Sequence, residues 1–297
     1  MEWPKLKNII LAILVVTNLF LLFLVLGQEF QSARFRDGVL EDAVVLLSES
    51  GITLDPDHLP KELPPAQSVA RDPAGELTAA GTLLGNGTAA QIESAVLTRY
   101  TGPNGVAQFR SGGNFDVTFS ATAFPLTGQS AGPAAAKVAA LLGGDWEILS
   151  VTGNQSDASV TLRQLWQEVP VFPCTVVAIY RGGFLASLSG RHLSGTPLPV
   201  TDETLDMPTL LVRFRAGITD SGDVCSAITD ISAGYDLPAT LTGSGELTPI
   251  LQIVTDTKTY HQNAQPGTMS PAYPPSHQRK AVFRQKVTKN GFFGLPF

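Results

Sequence analysis

The chain has few of the residues that bind metals or carry out catalysis. Its 297 residues include only two cysteines and four histidines, and 15% of them are charged. The histidines, His58, His192, His261 and His277, are far apart in the sequence. There is neither a His-Glu-x-x-His helix nor a Cys-x-x-Cys pair, which are spacings that zinc sites commonly use. The sequence therefore predicts no metal site and no cofactor.

The motifs of common nucleophilic enzymes are also missing. Ser187 and Ser189 lie in LASLSG, which lacks the Gly-x-Ser-x-Gly turn of hydrolases. The glycine-rich residues 81–87 are not followed by the Gly-Lys-Ser/Thr of a phosphate loop. The remaining catalytic candidate is a thiol dyad of Cys174 and His192, but no neighbour in the sequence lowers the pKa of this cysteine. We predict that the protein is not an enzyme, and we assign no catalytic residue.

The two cysteines leave two interpretations open. Cys174 and Cys225 could form a disulfide in an oxidising compartment, where closing a loop of this length contributes about 4 kcal/mol in the chain-entropy model. Alternatively, they are two separate buried thiols that behave as small apolar side chains.

One long apolar run, IILAILVVTNLFLLFLVL at residues 9–26, contrasts with the rest of the chain. A helix of this length measures roughly 27 Å, close to the thickness of the hydrocarbon core of a bilayer. Lys5 and Lys7 precede the run, which predicts a cytoplasmic N-terminus and an extracytoplasmic C-terminal part. A cleaved signal peptide is disfavoured because no small-x-small site follows. We predict a single-pass protein of the cell membrane.

Two polar residues, Thr17 and Asn18, interrupt this run near its middle. An amide within a bilayer is costly without a partner, so these residues predict contact with another transmembrane helix. The alternative is that Asn18 forms a hydrogen bond with its own backbone or with a water molecule.

The formal net charge of −6 is unevenly distributed. Residues 271–297 contain basic side chains and no acidic ones, so the rest of the chain is more acidic than the total indicates. An acidic folded part disfavours nucleic acid as a partner. The basic tail is predicted to be disordered, with contact to anionic lipid or wall polymer as the alternative.

Composition and turn signals divide the chain into six segments. These are 1–27, the cytoplasmic N-terminus and anchor; 28–74, a juxtamembrane helix and proline-rich tether; 75–130, a helix and hairpin; 131–200 and 201–270, two units of a helix plus an antiparallel sheet; and 271–297, the tail. The juxtamembrane helix either forms a stiff stalk or a dimer contact, or it packs on the domain behind it. The proline-rich part is a linker or an extended strap.

The two units share one pattern. A helix at 132–142 is followed by predicted strands at 146–152, 160–166, 175–180 and 184–190. A helix at 207–216 is followed by predicted strands at 225–231, 247–255 and 259–264. Consecutive strands are joined by short turns, which favours an antiparallel α+β fold over parallel α/β layering. In the preceding segment, AQIESAVLTRYTG predicts a helix, and residues 105–122 predict a hairpin that turns at 111–113.

Four stretches carry a resemblance to a known family. They are MEWPKLKNIILAILVVTNLFLL at 1–22, LPKELP at 59–64, VPVFPCTVVAIYRGGFLASLSG at 169–190 and GELTPILQIVTDTKTYHQNA at 245–264. They resemble the YycI/YycH family of membrane-anchored regulators of the WalK-type sensor histidine kinase, and the likeness covers most of residues 1–270. The repeated units resemble PepSY-like modules, in which a helix packs on a short antiparallel sheet.

The resemblance implies a transmembrane helix followed by two helix-on-antiparallel-sheet units, and it implies a function. The protein would be a non-enzymatic extracytoplasmic regulator of a membrane-embedded sensor histidine kinase, acting through transmembrane and ectodomain contacts. A related YycH-type protein or a second copy of this chain would be a further partner. From other classes, we retain an anchored inhibitor or chaperone of envelope proteases or cell-wall enzymes and, third, an envelope hydrolase.

Overall fold

The computed structural model describes residues 14–22, 38–154, 156–200, 204–238, 244–265 and 270–271. The helices in these ranges are a segment at 14–22, α1 (38–49), α2 (Pro73–Leu84), α3 (Ala131–Ala139) and α4 (Met207–Ser221), with 3-10 turns at Pro56–His58, Ser111–Gly113 and Ala140–Leu142. The strands are β1 (Gln67–Ala70), β2 (Ala89–Ser94), β3 (Leu97–Gly102), β4 (Gly105–Arg110), β5 (Asn114–Phe119), β6 (Asp145–Gly153), β7 (Ala158–Trp166), β8 (Val169–Arg181), β9 (Phe184–Arg191), β10 (Leu198–Pro199), β11 (Ile228–Asp236), β12 (Ser244–Thr255), β13 (Thr259–Asn263) and β14 (Ser270–Pro271).

The fold class predicted from the sequence is wrong. We expected a transmembrane helix followed by two helix-on-antiparallel-sheet units. In the described part of the chain, fourteen strands instead join one large mixed sheet that a few helices flank. The main strand order is β10-β1-β12-β11-β8-β9-β5-β4-β3-β2, with β6 and β7 beside β8 and with β13 and β14 beside β12. Most of the individual strands lie where the sequence predicts them, but their assembly into one sheet was not foreseen.

Two long strands explain why the expected units merge. The C-terminal part of β8 pairs with β9, while Val171 in its N-terminal part pairs in parallel with Tyr235 of β11. The C-terminal half of β12 pairs with β13, and its N-terminal end pairs with β1. Each strand is longer than its hairpin partner, and unpaired backbone N–H and C=O groups are costly when buried. The remaining lengths therefore take partners from elsewhere in the chain.

The first sheet region consists of β2–β9 with α2 and α3. Its core cluster draws buried side chains from both helices and most of these strands, including the fully buried Ala135 and Ala139 of α3. Phe109 and Phe115 stack with ring centroids 5.7 Å apart, and Tyr100 meets Phe109 edge to face at 5.5 Å. Because α3 is rich in alanine on its buried side, its backbone can lie close to the sheet.

The second sheet region consists of β1 and β10–β14 with α4. The buried face of α4 contributes Leu210, Leu211 and Phe214 to a core shared with β11–β13. The same core contains Ala43 and Leu47 of α1, which are 5% and 1% exposed. Of the two alternatives for the juxtamembrane helix, the structure therefore has α1 packed on the domain.

Residues 50–71, which we call the strap, run from α1 to the sheet. Thr53 forms a parallel bridge with Ala227, and Ile52 is buried in the core of the second sheet region. Prolines 56, 60, 64 and 65 disfavour helix in this segment. At its end, β1 lies between β10 and β12. Of the two alternatives for this proline-rich segment, the structure therefore has an extended strap.

The helix predicted from AQIESAVLTRYTG is also wrong, because these residues form the hairpin of β2 and β3. Their Ala, Glu and Leu content favours a helix, but Tyr100 of β3 is 3% exposed and packs on Phe109 of β4. Burial of this ring in the sheet overrides a weak local propensity. The hairpin predicted after it is present as β4 and β5.

The predicted membrane span is described only in part. Residues 14–22 are helical, while residues 9–13 and 23–26, as well as Lys5 and Lys7, lie outside the described residues. Within the described ranges, no helix combines the length and the apolar character needed to cross a membrane. The basic residues of the predicted tail lie beyond residue 271 and are likewise outside the described part.

Candidate functional site at the junction of the sheet regions

A cleft lies where the first and second sheet regions meet. It encloses about 300 Å³, counting the space open to solvent. Its walls come from four parts of the chain: the end of the strap, the turn between β4 and β5, the segment after β9, and the residues flanking the β11–β12 connection. The lining residues are Val69, Ala70, Arg71, Gly112, Gly113, Arg191, His192, Leu193, Ser194, Leu237, Pro238 and Gly245.

Arg191, the last residue of β9, holds one side of this cleft together. Its Nε donates a hydrogen bond to the Gly112 carbonyl oxygen at 2.6 Å, and its Nη2 donates to the Pro238 carbonyl oxygen at 3.1 Å. Its Nη1 donates to the carbonyl oxygen of Leu237. A guanidinium has five donors in a rigid fork. Two of them here bond the first sheet region to the second, at Leu237 and Pro238, and the third bonds within the first region, so Arg191 acts as a structural clamp.

Gln67 of β1 lies at the centre of a buried polar chain. Its Oε1 accepts a hydrogen bond from Trp166 Nε1 of β7 at 2.9 Å, and its Nε2 donates to the Tyr235 hydroxyl of β11 at 2.9 Å. The Tyr235 hydroxyl in turn donates to the Pro65 carbonyl oxygen at 3.0 Å. Gln67 is only 5% exposed. One side-chain amide therefore connects the strap with both sheet regions, and each of these buried polar groups has a partner.

A second polar pair anchors the start of α2 beside the cleft. Arg71 donates to both carboxylate oxygens of Glu76, from Nε at 2.8 Å and from Nη2 at 2.7 Å. Glu76 is 2% exposed, and this hydrogen-bonded pairing raises the pKa of Arg71. A bidentate pair of this kind satisfies a carboxylate that would otherwise be buried without a partner. Arg71 is thus also engaged in holding the structure.

His192 directly follows Arg191 in the sequence, and its side chain is buried, with the residue 1% exposed. Its ring meets Phe109 and Phe115 edge to face, at centroid distances of 5.8 and 5.2 Å. Burial lowers its pKa to about 4, although the backbone carbonyl of Gly113 favours the charged form. Its Nδ1 has no hydrogen-bond partner among the described residues. This imidazole is therefore neutral near pH 7, since a charge at this site would not be solvated.

The two cysteines are free thiols that lie in separate hydrophobic clusters. Cys174 is 0% exposed, and burial raises its pKa to about 12. Burial also raises the pKa of Cys225. The structure thus has two separate buried thiols rather than the disulfide that the sequence left open. At neutral pH Cys174 is a thiol and His192 is uncharged, which is the opposite of an activated pair.

The two polar residues of the predicted span lie in the helical segment 14–22. The Nδ2 of Asn18 donates a hydrogen bond to the Leu14 carbonyl oxygen at 2.9 Å, one turn earlier. This is the local bond that we weighed as the alternative to a helix partner. Contact of Thr17 and Asn18 with another transmembrane helix remains a prediction.

Sequence analysis did not single out Gln67, Trp166, Arg191 or Tyr235. Their bonds join residues far apart in the chain, at a sequence separation of 99 for Gln67 and Trp166 and of 168 for Gln67 and Tyr235. No short motif carries such a signal. The available hint was a polar residue, Gln67, two positions after the proline pair of the strap, at the start of an alternating segment.

The chain has distant structural neighbours. No protein-family model matches it, and no curated protein does. A crystal structure of an uncharacterized protein from Eubacterium rectale ATCC 33656 is similar at a TM-score of 0.40 and 10% identity, covering 70% of this chain and 82% of the other. The Bacillus megaterium YpeB C-terminal domain is similar at a TM-score of 0.34 and 10% identity, covering 69% and 99%. Neither similarity carries an argument about function.

Proposed function

We propose that this protein is a non-enzymatic regulator of a membrane-embedded sensor histidine kinase of the WalK type. In this proposal, residues 9–26 anchor it in the cell membrane, its N-terminus is cytoplasmic, and its folded part is extracytoplasmic. The observation that carries the proposal is the opening sequence MEWPKLKNIILAILVVTNLFLL, which resembles the start of YycI proteins. A related YycH-type protein or a second copy of this chain is a further proposed partner.

The packing of α1 supports this proposal. Ala43 and Leu47 bury α1 against α4, and the strap continues from α1 to the cleft between the sheet regions. A helix that follows an anchor and packs firmly on the folded part gives the anchor a mechanical connection to that part. A ligand or partner that binds one arrangement of such a connection better than another shifts its equilibrium.

The proposal is tested at the span, where Thr17 and Asn18 are expected to face a kinase helix. Replacing the span with an unrelated apolar helix should abolish regulation while the folded part stays unchanged. Asn18→Leu should weaken regulation without impairing membrane insertion, because leucine is more apolar. Val16→Leu is the matched control and should leave regulation intact. The measurement is kinase output in cells at equal expression of each protein.

Two results count against the proposal. If crosslinked membranes that contain the protein yield no histidine kinase, the partner is wrong. If the swapped-span protein and Asn18→Leu both regulate as well as the original, the span is only an anchor, and the extracytoplasmic part alone carries the function.

A second candidate function is inhibition or chaperoning of envelope proteases or cell-wall enzymes. It is favoured by β6, which pairs only with β7 in the described part of the sheet. Its apolar residues Ile148, Leu149 and Val151 are each 43% or more exposed. An edge strand of this kind can take up an extended segment of another protein. Recovery of a hydrolase rather than a kinase from the crosslinked membranes would support this candidate.

A further inference from the structure

The strap is attached to the second sheet region at its beginning. Leu47 and Ile52 lie in the same hydrophobic core as Phe214 of α4. Thr53 N–H donates to the Ser226 carbonyl oxygen at 2.9 Å, and Ile228 N–H donates to the Thr53 carbonyl oxygen at 2.9 Å. The position of α1 and the start of the strap is therefore fixed to α4 and to the entry of β11.

The other end of the strap is built into the sheet. Residues 67–70 pair with residues 247–244 of β12, and residues 67–68 pair with the two residues of β10. The N–H of Val200 also donates to the Ala66 carbonyl oxygen at 3.0 Å. A strand from the N-terminal side of the chain thus lies between two strands that follow it by more than a hundred residues, and its removal would leave both without this partner.

Gln67 connects this strand to the first sheet region as well. The bond from Trp166 is made by β7, whereas the bond to Tyr235 is made to β11. In the backbone pairing of the described residues, the first and second sheet regions meet at Val171 and Tyr235. Because Tyr235 is also the hydrogen-bond partner of Gln67, the amide lies where that contact is made.

The same end of the strap forms a wall of the cleft. Val69, Ala70 and Arg71 lie on that wall, and the clamp residue Arg191 also lines the cleft. Gly195 lies so close to the strap that an added Cβ would be 1.9 Å from the Ala70 carbonyl oxygen. The strap is therefore in close contact with the segment that follows β9.

We infer that the strap is a conformational link, which couples the packing of α1 on α4 to the fit between the two sheet regions, with Gln67 as its central contact. When α1 leaves α4, the beginning of the strap loses the core contacts of Leu47 and Ile52. The backbone pairing of β1 and the hydrogen bonds of Gln67 to both sheet regions then weaken. Coupling between two sites is reciprocal, so loss of the Gln67 contact also loosens α1. The inference is independent of which partner the protein regulates.

Hydrogen exchange of the full chain, measured by mass spectrometry, tests the link from its N-terminal end. Leu47→Ala should accelerate exchange at least about tenfold in α1, in residues 66–70 and in residues 244–247, because local opening spreads through cooperative units. Leu83→Ala is the matched control, since Leu83 is equally buried in the first sheet region. It should accelerate exchange around α2 and leave residues 66–70 unchanged.

The reciprocal variant tests the link from the other end. Gln67→Leu should accelerate exchange of α1, although the side-chain bonds of Gln67 are made to β7 and β11. Gln164→Leu is its control, because Gln164 is also a buried amide, and its Oε1 accepts from Leu193 N–H at 2.6 Å rather than from a residue of the strap. This control should leave α1 unchanged. Gln67→Leu and its control, Gln164→Leu, keep the inference testable if the Leu47→Ala protein does not fold.

A disulfide that fixes β1 of the strap to β12 completes the experiment. Ser68 and Glu246 are opposite each other across β1 and β12, so Ser68→Cys with Glu246→Cys can form a disulfide between paired strands. In the oxidised protein, Leu47→Ala should no longer accelerate exchange at 244–247. The inference is overturned if Leu47→Ala affects α1 and α4 alone, or if the control variants accelerate exchange in the strap equally.

Discussion

The two sheet regions both place a helix against antiparallel strands, yet their cores are assembled from different parts of the chain. The core of the first sheet region draws on residues from α2 through β9, which are continuous in sequence. The core of the second combines α4 and β11–β13 with Ala43, Leu47 and Ile52, which precede the entire first region. The first region is therefore complete within one stretch of sequence, whereas the second is completed by the N-terminal segment.

This difference indicates where a change at the N-terminal end of the protein acts. Displacing α1 removes buried apolar area from the second sheet region and leaves the core of the first intact. Apolar burial is the main favourable term in folding, so the second region is the one whose stability depends on the N-terminal segment. The comparison can be tested by matched changes in the two cores.

The largest expected effect comes from removing a buried ring from each core. Phe214 is 0% and Phe115 is 1% exposed, so Phe214→Ala and Phe115→Ala should each lower the free energy of unfolding by about 3–5 kcal/mol. Only Phe214→Ala should also make residues 38–71 sensitive to limited proteolysis, because only this ring packs in the core that holds α1. Equal cleavage of both variants in this segment would remove the distinction between the regions.

Acid should act on the first sheet region through His192. The ordinary pKa of 6.5 is lowered to about 4 in the folded protein, so the unfolded chain binds the proton more readily. The folded protein has its full stability above pH 6.5, where the imidazole is neutral in both states. As the pH falls from 6.5 toward 4, the free energy of unfolding decreases by roughly 3 kcal/mol for a shift of this size. Chemical denaturation at a series of pH values measures this loss.

The control for the acid effect is His192→Phe, which keeps a ring between Phe109 and Phe115 but cannot bind a proton. Its free energy of unfolding should change less between pH 6.5 and pH 4 than that of the original protein. Burial also lowers the pKa of His261 in the second sheet region. If His192→Phe retains the full pH dependence and a variant of His261 loses it, the acid-sensitive region has been assigned wrongly.

A smaller effect is expected where the two regions meet. Trp166→Phe removes the indole N–H that donates to Gln67 and leaves the buried amide oxygen without that partner, which should cost about 1–3 kcal/mol. Trp146→Phe is the control, because its indole donates to the Gly143 carbonyl oxygen at the protein surface. Trp146→Phe should therefore change the free energy of unfolding by no more than about 0.5 kcal/mol. Urea unfolding of the two variants compares them directly, and equal losses would argue against a special role for the junction.

The smallest effect concerns the helix caps. Asp72 caps α2 by accepting from the N–H groups of Ala74 and Gly75, and Asp206 caps α4 by accepting from Thr209 N–H at 3.1 Å. Replacing either aspartate with alanine should cost about 1 kcal/mol. Hydrogen exchange of α1 should rise only in Asp206→Ala, since α1 packs on α4. An equal rise in Asp72→Ala would contradict the separation of the two cores.

Some elements could be predicted because their signals are local. Helix α3 has Pro133 near its start and Gly143 directly after the turn that ends it, and α4 shows the same order with Pro208 and Gly222. The hairpin of β8 and β9 turns at consecutive glycines with positive φ angles, Gly182 and Gly183. Signals of this kind act within a few residues, and they need no knowledge of the rest of the chain.

Other features had no local signal. Residues 90–102 have a composition that suits a helix, and the burial of Tyr100 against β4 makes them part of a hairpin. The clamp of Arg191 is made to the carbonyl oxygens of residues elsewhere in the chain. Backbone carbonyls exist at every position, so the sequence contains no information about which of them Arg191 will meet.

The sequence by itself determined many local elements of this protein: α3, α4, most of the strands that follow them, the hairpin of β4 and β5, and the proline-rich stretch that became the strap. The tertiary structure decided that these segments share one mixed sheet, that α1 completes the second core, and that Gln67 joins three parts of the molecule. The physical reason is that a strand edge offers the same backbone donors and acceptors to any partner. Which strands meet is settled only when the whole chain buries its apolar surface and satisfies its buried polar groups together.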